Sequence, residues 1–225
     1  MVAAYSINMK RKGDISHFIY ITGCDGTGKT TQARLLTEKL RSQGIQTQHV
    51  WLRFPFLFSI PLLAYARWRG FSWYETTEGF RHGYWDFRNS WLLQSFLPWF
   101  LLFDAGLAAI RKIYLPIMRG KTVICERFVL DMLVDLSIAC GDPHLHLRYP
   151  GKLYLHLLPR EKKIFILDLD SETIRFRRRD LTVDTRLQNR LDAYRSLAED
   201  LPLPILSSIN PPNQLSNLVF QSVID

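Results

Sequence analysis

The chain has few cysteines. Its 225 residues include three, Cys24, Cys125 and Cys140, and no two of them form a CxxC pair. This pattern argues against a disulfide framework and against a zinc site built on paired cysteines. The N-terminal stretch, MVAAYSINMKRKGD, also lacks the long hydrophobic segment of a secretory leader. We therefore expect a reduced protein that resides in the cytoplasm.

Long uninterrupted apolar runs are absent as well. Residues 54–66 form an apolar stretch of 13 residues, whereas a membrane-spanning helix needs about 20. Residues 91–110 form a stretch of 20, but Gln94, Pro98 and Asp104 interrupt it. We expect no transmembrane segment and predict buried helices here, with a subunit interface as one option. Contact with a membrane surface is the lesser alternative.

The charge is not gathered into a basic tract. The chain has 29 Lys and Arg against 21 Asp and Glu, a net charge of +8, which favours anionic partners such as nucleotides. No recognised nucleic-acid-binding motif is present, so we expect no nucleic-acid partner. The proportions of 47% hydrophobic and 22% charged residues are ordinary for a globular chain. We predict one domain over residues 1–225, preceded by a short tail at 1–15.

Apolar strands alternate with helical patterns along most of the chain. The hydrophobic pattern predicts strands at 17–22, 45–52, 121–126, 162–169 and 203–208, and helices at 29–44, 128–139, 171–180 and 187–200. Residues 54–118 are expected to be mostly helical, with a polar, aromatic interlude at 70–89. Residues 141–160 give no clear prediction. Five strands alternating with helices predict an α/β fold, a three-layer α/β/α sandwich around a five-stranded parallel sheet.

A phosphate-binding loop follows the first predicted strand. Residues 23–30, GCDGTGKT, match the pattern GxxxxGK(S/T) between a strand and a helix. Glycines let backbone N–H groups converge on phosphate oxygens, and the helix start adds positive potential. This makes the fold a P-loop NTPase sandwich with ATP and Mg²⁺ as cofactors. The predicted ATP-binding residues are Gly23, Cys24, Asp25, Gly26, Thr27, Gly28, Lys29, Thr30 and Thr31.

Within that loop, Lys29 is predicted to bridge the β- and γ-phosphates, and the Thr30 hydroxyl to ligate Mg²⁺. A second metal ligand is expected at the end of another strand. Glu126 closes the apolar run TVICE, and ligands bind at the carboxyl edge of open parallel sheets. The alternative is that Glu126 only pairs with the neighbouring Arg127.

The chain resembles the thymidylate kinases and their nucleoside monophosphate kinase relatives. The similarity rests on the loop with its tail, GxDGxGKTTQ, on RFP at 53–55, on LLF at 101–103 and on GKTVICERFVLD at 120–131. It covers nearly the whole length and extends to ILDLDSETIRFRRRD at 166–180. The resemblance implies ATP-dependent phosphorylation of a nucleoside monophosphate, with dTMP converted to dTDP, by a homodimer. It also implies that backbone near residues 208–211 borders the adenine.

The resemblance implies particular roles for four residues. Asp25 would contact the sugar hydroxyl of the acceptor or organise the reacting phosphates. Arg53 and Arg127 would clamp the acceptor monophosphate, a task that suits the planar guanidinium fork. Phe103 would stack on the acceptor base.

A lid is expected at about residues 175–186. The loop carries no arginine of its own, and phosphoryl transfer gains from positive charge placed on the transferring group. The RFRRR segment is therefore predicted to supply catalytic arginines. The candidates are Arg175, Arg178 and Arg179, with Arg177 as a fourth. They would act together with Lys29, Arg127 and Asp25. The alternative is a solvated basic helix face.

The match to the family breaks down on the acceptor side. Gly106 and Leu107 stand where an Asp/Asn-Arg pair would help to read a pyrimidine, and Phe128 replaces a tyrosine. Asp131 is predicted to bind the acceptor, the alternative being a solvated helix residue. The aromatic segment at 68–91 forms either a base-stacking wall or ordinary packing.

The acceptor and the class of protein therefore stay open at this point. Besides a thymidylate kinase, the chain is compatible with a P-loop kinase of another nucleotide or nucleoside. It is also compatible with a non-catalytic nucleotide-binding protein that regulates or accompanies nucleic acid.

Overall fold

The computed structural model describes residues 16–224; the predicted tail at 1–15 lies outside the described residues. The strands are β1 (Phe18–Gly23), β2 (Thr47–Trp51), β3 (Ser72–Thr77), β4 (Phe80–Trp85), β5 (Thr122–Glu126), β6 (Lys163–Asp168) and β7 (Ile205–Ser207). The α-helices are α1 (Lys29–Ser42), α2 (Ile60–Trp68), α3 (Trp91–Ala109), α4 (Leu115–Met118), α5 (Val129–Cys140), α6 (Tyr149–His156), α7 (Ser171–Arg177), α8 (Leu187–Asp200) and α9 (Pro212–Ile224).

The main sheet has five parallel strands in the order β2-β5-β1-β6-β7. Side chains of β1 alternate between two cores. Phe18 and Tyr20 pack with residues of α3, α5 and α8, whereas Ile19 and Ile21 pack with residues of α1 and α9. Both faces of the sheet are therefore covered at its centre, which is why β1, β5 and β6 read as continuous apolar runs. The predicted three-layer α/β/α P-loop sandwich is confirmed.

Residues 70–89, predicted as a polar, aromatic interlude within the mostly helical region 54–118, contain an antiparallel hairpin that was not predicted. Strands β3 and β4 pair with Thr77 opposite Phe80. The two loop residues between them, Glu78 and Gly79, have φ of 52° and 81°. Two-residue hairpin turns with positive φ at both positions match the twist of the strands. The turn dipeptide and the flanking aromatic residues are the sequence signals for this hairpin.

Helix α3 continues through a π-helical segment, Ile110–Tyr114, into α4. By its length and composition, the continuous segment Trp91–Met118 is apolar enough to cross a membrane. Of the residues in its apolar 18-residue stretch, 39% are buried. Core helices meet the same criterion, so it does not establish a membrane span.

The carboxylate of Asp104 on α3 is buried and accepts hydrogen bonds from the backbone N–H groups of Leu57, Phe58 and Ser59 and from the Ser59 hydroxyl. It thus places a negative charge at the start of α2, where free N–H groups and the helix dipole favour one. The Asp104 carboxylate, which interrupts the apolar stretch of α3, therefore connects α3 to the start of α2 through hydrogen bonds.

Candidate active site

The phosphate-binding loop joins β1 to α1 at the carboxyl edge of the sheet. Gly23 has φ of 132°, and a Cβ there would lie 2.2 Å from the carbonyl oxygen of Leu167 on β6. Gly28 has φ of 89° and borders open space. It immediately precedes α1, whose first N–H groups lack partners within the helix. The loop therefore packs tightly against the sheet below and presents backbone donors to the cleft above.

The phosphate cleft above the loop has a volume of about 440 Å³. Its lining residues are Asp25, Gly26, Gly28, Lys29, Thr30, Thr31, Trp51, Arg53, Glu126, Arg127 and Arg178. The Lys29 ammonium group donates to the carbonyl oxygen of Cys24 at 2.6 Å. Burial lowers the pKa of Lys29 and raises that of the Cys24 thiol. Lys29 thus lies folded across the loop, where it can meet phosphate oxygens.

Thr30 and Glu126 meet directly across the cleft. The Thr30 hydroxyl donates to Oε2 of Glu126 at 2.6 Å, and Nε2 of His49 lies 2.7 Å from Oε1. Burial alone would raise the pKa of Glu126, but the hydrogen bonds from His49 and Thr30 outweigh it and the pKa is lowered. A hydroxyl and an ionised carboxylate are hard oxygen ligands suited to Mg²⁺.

Residues 16–224 contain no group of three or more His, Cys, Asp or Glu side chains arranged to hold a metal. This agrees with the way Mg²⁺ is bound in kinases, through one or two protein oxygens together with phosphates and water. The pair of Thr30 and Glu126 fits that ion. The contribution of His49 had no signal in the sequence, because β2 brings it to Glu126 only through strand pairing.

Two arginines converge on Asp25 within the loop. Nη1 of Arg53 lies 3.6 Å from Oδ2 of Asp25, and Arg127 pairs with Oδ1 of the same carboxylate. Arg127 is buried and has φ of 58°, a left-handed conformation that costs about 1 kcal/mol or more in a residue with a side chain. Arg127 thus combines a strained backbone just after β5 with a guanidinium group that lines the phosphate cleft beside the loop.

Asp131 does not reach the cleft. It is 1% exposed, and its carboxylate accepts hydrogen bonds from the hydroxyls of Tyr20, Thr22 and Tyr194. Nη1 of Arg127 is a further donor at 3.4 Å. The alternative of a solvated helix residue is wrong, because the side chain is buried; the contact with the acceptor stays a prediction, which this placement does not support. With its oxygens occupied by the protein, Asp131 holds Arg127 in place.

Asp135 lies one helical turn further along α5 than Asp131 and, unlike Asp131, lines a cavity. Its Oδ2 accepts from Nη2 of Arg53 at 2.8 Å and from Nε at 3.2 Å. The attraction of Asp135 is the largest influence on Arg53 and raises the pKa of that guanidinium. Asp135 therefore orients Arg53, which extends from this carboxylate toward Asp25.

The structure separates the four arginines of the predicted lid segment. Arg178 lines the phosphate cleft and pairs with Asp180. Arg177 donates to the carbonyl oxygen of Ser208 at 3.1 Å. Arg175 and Arg179 are not among the side chains that line the cleft. Of the three lid arginines predicted to be catalytic, Arg178 is the one that lines the phosphate cleft in the described structure; the catalytic role stays a prediction.

A second opening, the outer cleft, continues from the loop. It has a volume of about 390 Å³ and is lined by Gly26, Thr27, Gly28, Thr31, Gln32, Arg177, Ser208, Asn210, Pro212 and Leu215. Oε1 of Gln32 and Oγ of Ser208 are buried there without a hydrogen-bond partner in the described structure. Buried polar atoms without partners are costly, so a polar ligand fits this position. Ser208 and Asn210 fall in the segment that the resemblance places beside an adenine.

A third opening, the hairpin cavity, lies on the opposite side of Arg53. It has a volume of about 230 Å³. Its lining residues are Arg53, Phe54, Ser72, Trp73, Tyr74, Gly83, Tyr84, Trp85, Asp135, Ile138, Arg186 and Arg190. Arg186 and Arg190 were missed by sequence reasoning, because nothing local distinguishes them from solvated helix residues.

Phe103, the predicted base-stacking residue, is outside this cavity. It is 55% exposed and packs against Phe58, with ring centroids 5.1 Å apart. Gly106 faces Leu157, which would lie 3.7 Å from an added Cβ. This placement does not support a stacking role for Phe103 within the protomer. The helix face that carries Phe103 and Gly106 contributes no lining residue to the hairpin cavity.

The parallel sheet and the loop at its carboxyl edge define a P-loop protein of the nucleotide kinase class. No family model matches the chain. A thymidylate kinase of Symbiobacterium thermophilum is 30% identical over 188 residues, which cover 83% of this chain and 78% of that protein. The chain therefore belongs to the thymidylate kinase family, as a divergent member.

Proposed function

We propose that the protein is an ATP- and Mg²⁺-dependent nucleoside monophosphate kinase. The observation that carries this proposal is the convergence of Arg53 and Arg127 on Asp25 inside the phosphate-binding loop. Guanidinium pairs are suited to phosphate oxygens. An acceptor monophosphate bound by these two arginines lies directly beside the terminal phosphate of a triphosphate bound by the loop.

The loop residues hold the donor nucleotide. Backbone N–H groups from Gly26 to Thr31 and the Lys29 ammonium bind the polyphosphate, and the outer cleft receives the adenosine. Thr30 and Glu126 would hold Mg²⁺, with His49 fixing the orientation of the carboxylate. When bound, the ion neutralises charge on the β- and γ-phosphate oxygens.

The arginines position the acceptor and spread the charge of the transferring group. An oxygen of the acceptor monophosphate attacks the γ-phosphorus, and the bond between that phosphorus and the β–γ bridging oxygen breaks, giving ADP and a nucleoside diphosphate. Arg127 and Arg53 hold the acceptor in line, and Arg178 from the lid at 175–186 supplies further positive charge. Asp25 keeps the two acceptor-binding guanidiniums together before substrate arrives.

The preferred acceptor in this proposal is dTMP, which is converted to dTDP. The support is the similarity to a protein named thymidylate kinase. A P-loop kinase of another nucleotide or nucleoside is the second candidate, because Gly106 and Leu107 replace the base-reading pair that the family resemblance leads one to expect.

A substrate panel with a loop variant tests the proposal. ADP release is measured with ATP, Mg²⁺ and, in turn, dTMP, dUMP, dGMP, dCMP, dAMP and thymidine. We expect a monophosphate to stimulate turnover. In Lys29→Met we expect the turnover rate to fall at least about 10³-fold, because no ammonium group neutralises the negative charge on the transferring phosphates. Lys39→Met, on the same helix but bonded to Asn217, is the matched control.

Two results would contradict the proposal. Near-normal turnover in Lys29→Met would remove the phosphate role of the loop. ATP binding without any acceptor-stimulated turnover, combined with salt-dependent binding of DNA or RNA, would favour the non-catalytic alternative.

The proposal includes a homodimer. Exposed apolar side chains follow helical spacing along α3 and into the π-helical segment: Phe96, Trp99, Phe100, Phe103, Leu107 and Ile110. A continuous apolar stripe of this kind is typical of an interaction surface. We assign it to a second copy of the chain, which also gives Phe103 a role. The proposal treats residues 1–225 as one domain and places the enzyme in the cytoplasm, where ATP is available.

A further inference from the structure

The β3–β4 hairpin is fastened to the lid segment. Nε2 of His82 lies 2.7 Å from the carbonyl oxygen of Asp180, and the Tyr84 hydroxyl donates to Asp184. Nη1 of Arg186 donates to the carbonyl oxygen of Trp85 at 2.5 Å. These three contacts hold the hairpin against residues 180–186, and Arg186 of this segment lines the hairpin cavity together with hairpin residues.

Arg186 lies against the aromatic side chains of this wall. Its guanidinium carbon is 5.4 Å from the ring centroid of Trp73 and 5.3 Å from that of Tyr84. A guanidinium carries five N–H donors, and the backbone oxygen of Trp85 is the one acceptor that the described structure provides for this side chain. Arg186 therefore has N–H donors at the edge of the cavity that can bind a ligand.

The charged side chains that line the cavity are three arginines, Arg53, Arg186 and Arg190, and one carboxylate, Asp135. Asp135 is engaged by Arg53. The neighbouring Asp184 is engaged by Arg190 and by the backbone N–H of Arg186. A nucleobase edge with carbonyl oxygens complements such a wall, whereas the amino groups of adenine and cytosine would face other donors. The aromatic rings provide surfaces on which a base can stack.

The position of the cavity is also right for the acceptor. Arg53 lines both the phosphate cleft and the hairpin cavity. The hairpin cavity is therefore adjacent to the place where Arg53 and Arg127 would hold a monophosphate. The face of α3 that carries Phe103 and Gly106 does not line this cavity.

We propose that the hairpin cavity is the base pocket of the acceptor and that Arg186 reads the carbonyl edge of the base. This rests on the proposed kinase function. The acceptor class is then a nucleoside monophosphate with an oxo base, that is thymine, uracil or guanine. Arg186 is the specificity-determining residue in place of the base-reading pair that the chain lacks at Gly106 and Leu107.

The test combines two substitutions of Arg186 with a control. Arg186→Met removes the donors, and we expect the KM of dTMP, dUMP and dGMP to rise about tenfold or more while the KM of ATP is unchanged. Arg186→Gln keeps a donor for the oxygen of Trp85 and adds an acceptor. We expect it to shift relative kcat/KM toward dAMP and dCMP. Arg88→Met, an exposed arginine just after β4 that pairs with Asp86, leaves the preference unchanged.

A binding measurement separates this proposal from the kinase proposal. Without ATP, the oxo-base monophosphates are expected to quench the fluorescence of Trp73 and Trp85 in the wild type and to do so only weakly in Arg186→Met. Circular dichroism confirms that the variants are folded. Turnover with base preference unaltered in both folded variants, or a wild type that prefers dCMP or dAMP, overturns the base-reading role while the kinase function stands. No binding and no turnover with any monophosphate overturns both.

Discussion

The guanidinium of Arg127 lies 3.4 Å from the buried carboxylate of Asp131, four residues later on α5. The same carboxylate is held by Tyr20 and Tyr194 from two other elements of the core. Burial and the negative charge of Asp131 raise the pKa of both tyrosine hydroxyls, so they stay protonated and donate. Arg127, which is proposed to hold the acceptor monophosphate, is thus anchored to the centre of the fold.

Replacing this anchor should impair acceptor binding more than ATP binding. Asp131→Asn keeps the size of the side chain but removes its charge, so Arg127 loses its fixed position. We expect the acceptor KM to rise about tenfold with little change in the ATP KM, and stability to fall by about 2 kcal/mol. Steady-state kinetics and urea unfolding measure the two effects. Asp192→Asn, on the exposed face of α8, is the control, and equal KM changes for both substrates would contradict the anchor role.

The close packing of the loop on the sheet predicts a large effect at Gly23. Gly23→Ala places a methyl group 2.2 Å from a backbone oxygen of β6, at positive φ. Gly44→Ala also has positive φ, 74°, but meets nothing within 4 Å. We expect Gly44→Ala to cost about 1 kcal/mol and Gly23→Ala about 2 kcal/mol more, because of overpacking. Equal unfolding free energies of the two variants in urea would show that the loop does not press on β6.

Asp104 predicts a pH dependence of stability. Burial alone would raise its pKa, but hydrogen bonds from Ser59 and from the N–H groups of residues 57–59 prevail, and the folded pKa is lowered. The stabilisation is therefore present above the unfolded pKa of about 3.9 and is lost as pH falls through the folded pKa. We expect Asp104→Asn to cost about 2 kcal/mol at pH 7. The gap to the wild type should narrow below about pH 4, as measured by urea unfolding; a gap independent of pH would contradict this.

The apolar stripe on α3 predicts a dimer that a single charge disrupts. Phe100 lies in the middle of the stripe, and Phe100→Glu would place a carboxylate in the buried contact between copies. We expect the wild type to sediment as a dimer and Phe100→Glu as a monomer in analytical ultracentrifugation. Leu218→Glu, at a half-exposed position on α9 away from the stripe, should remain dimeric. A monomeric wild type would remove the assignment of this surface.

Much of the fold was predictable because its signals are local. Five strands were predicted within two residues of their observed bounds. The three central strands, β1, β5 and β6, are covered on both faces and read as apolar runs closed by polar or turn residues. The β3–β4 hairpin was missed. Its surface is largely exposed, so its residues lack the buried alternation that marks a strand. Its sequence signals are the Glu78-Gly79 turn and the aromatic residues that flank it.

The amino-acid sequence by itself determined the phosphate-binding loop, the succession of the five main-sheet strands along the chain, and the pairing of a loop threonine with an acid at the end of a strand. Each of these depends on the types and spacing of neighbouring residues. Only the tertiary structure decided that Asp131 is buried under Arg127, that His49 touches Glu126, and that Arg186 joins the hairpin to enclose a cavity. These contacts connect positions far apart in the chain, and the packing of helices and strands in three dimensions brings them together.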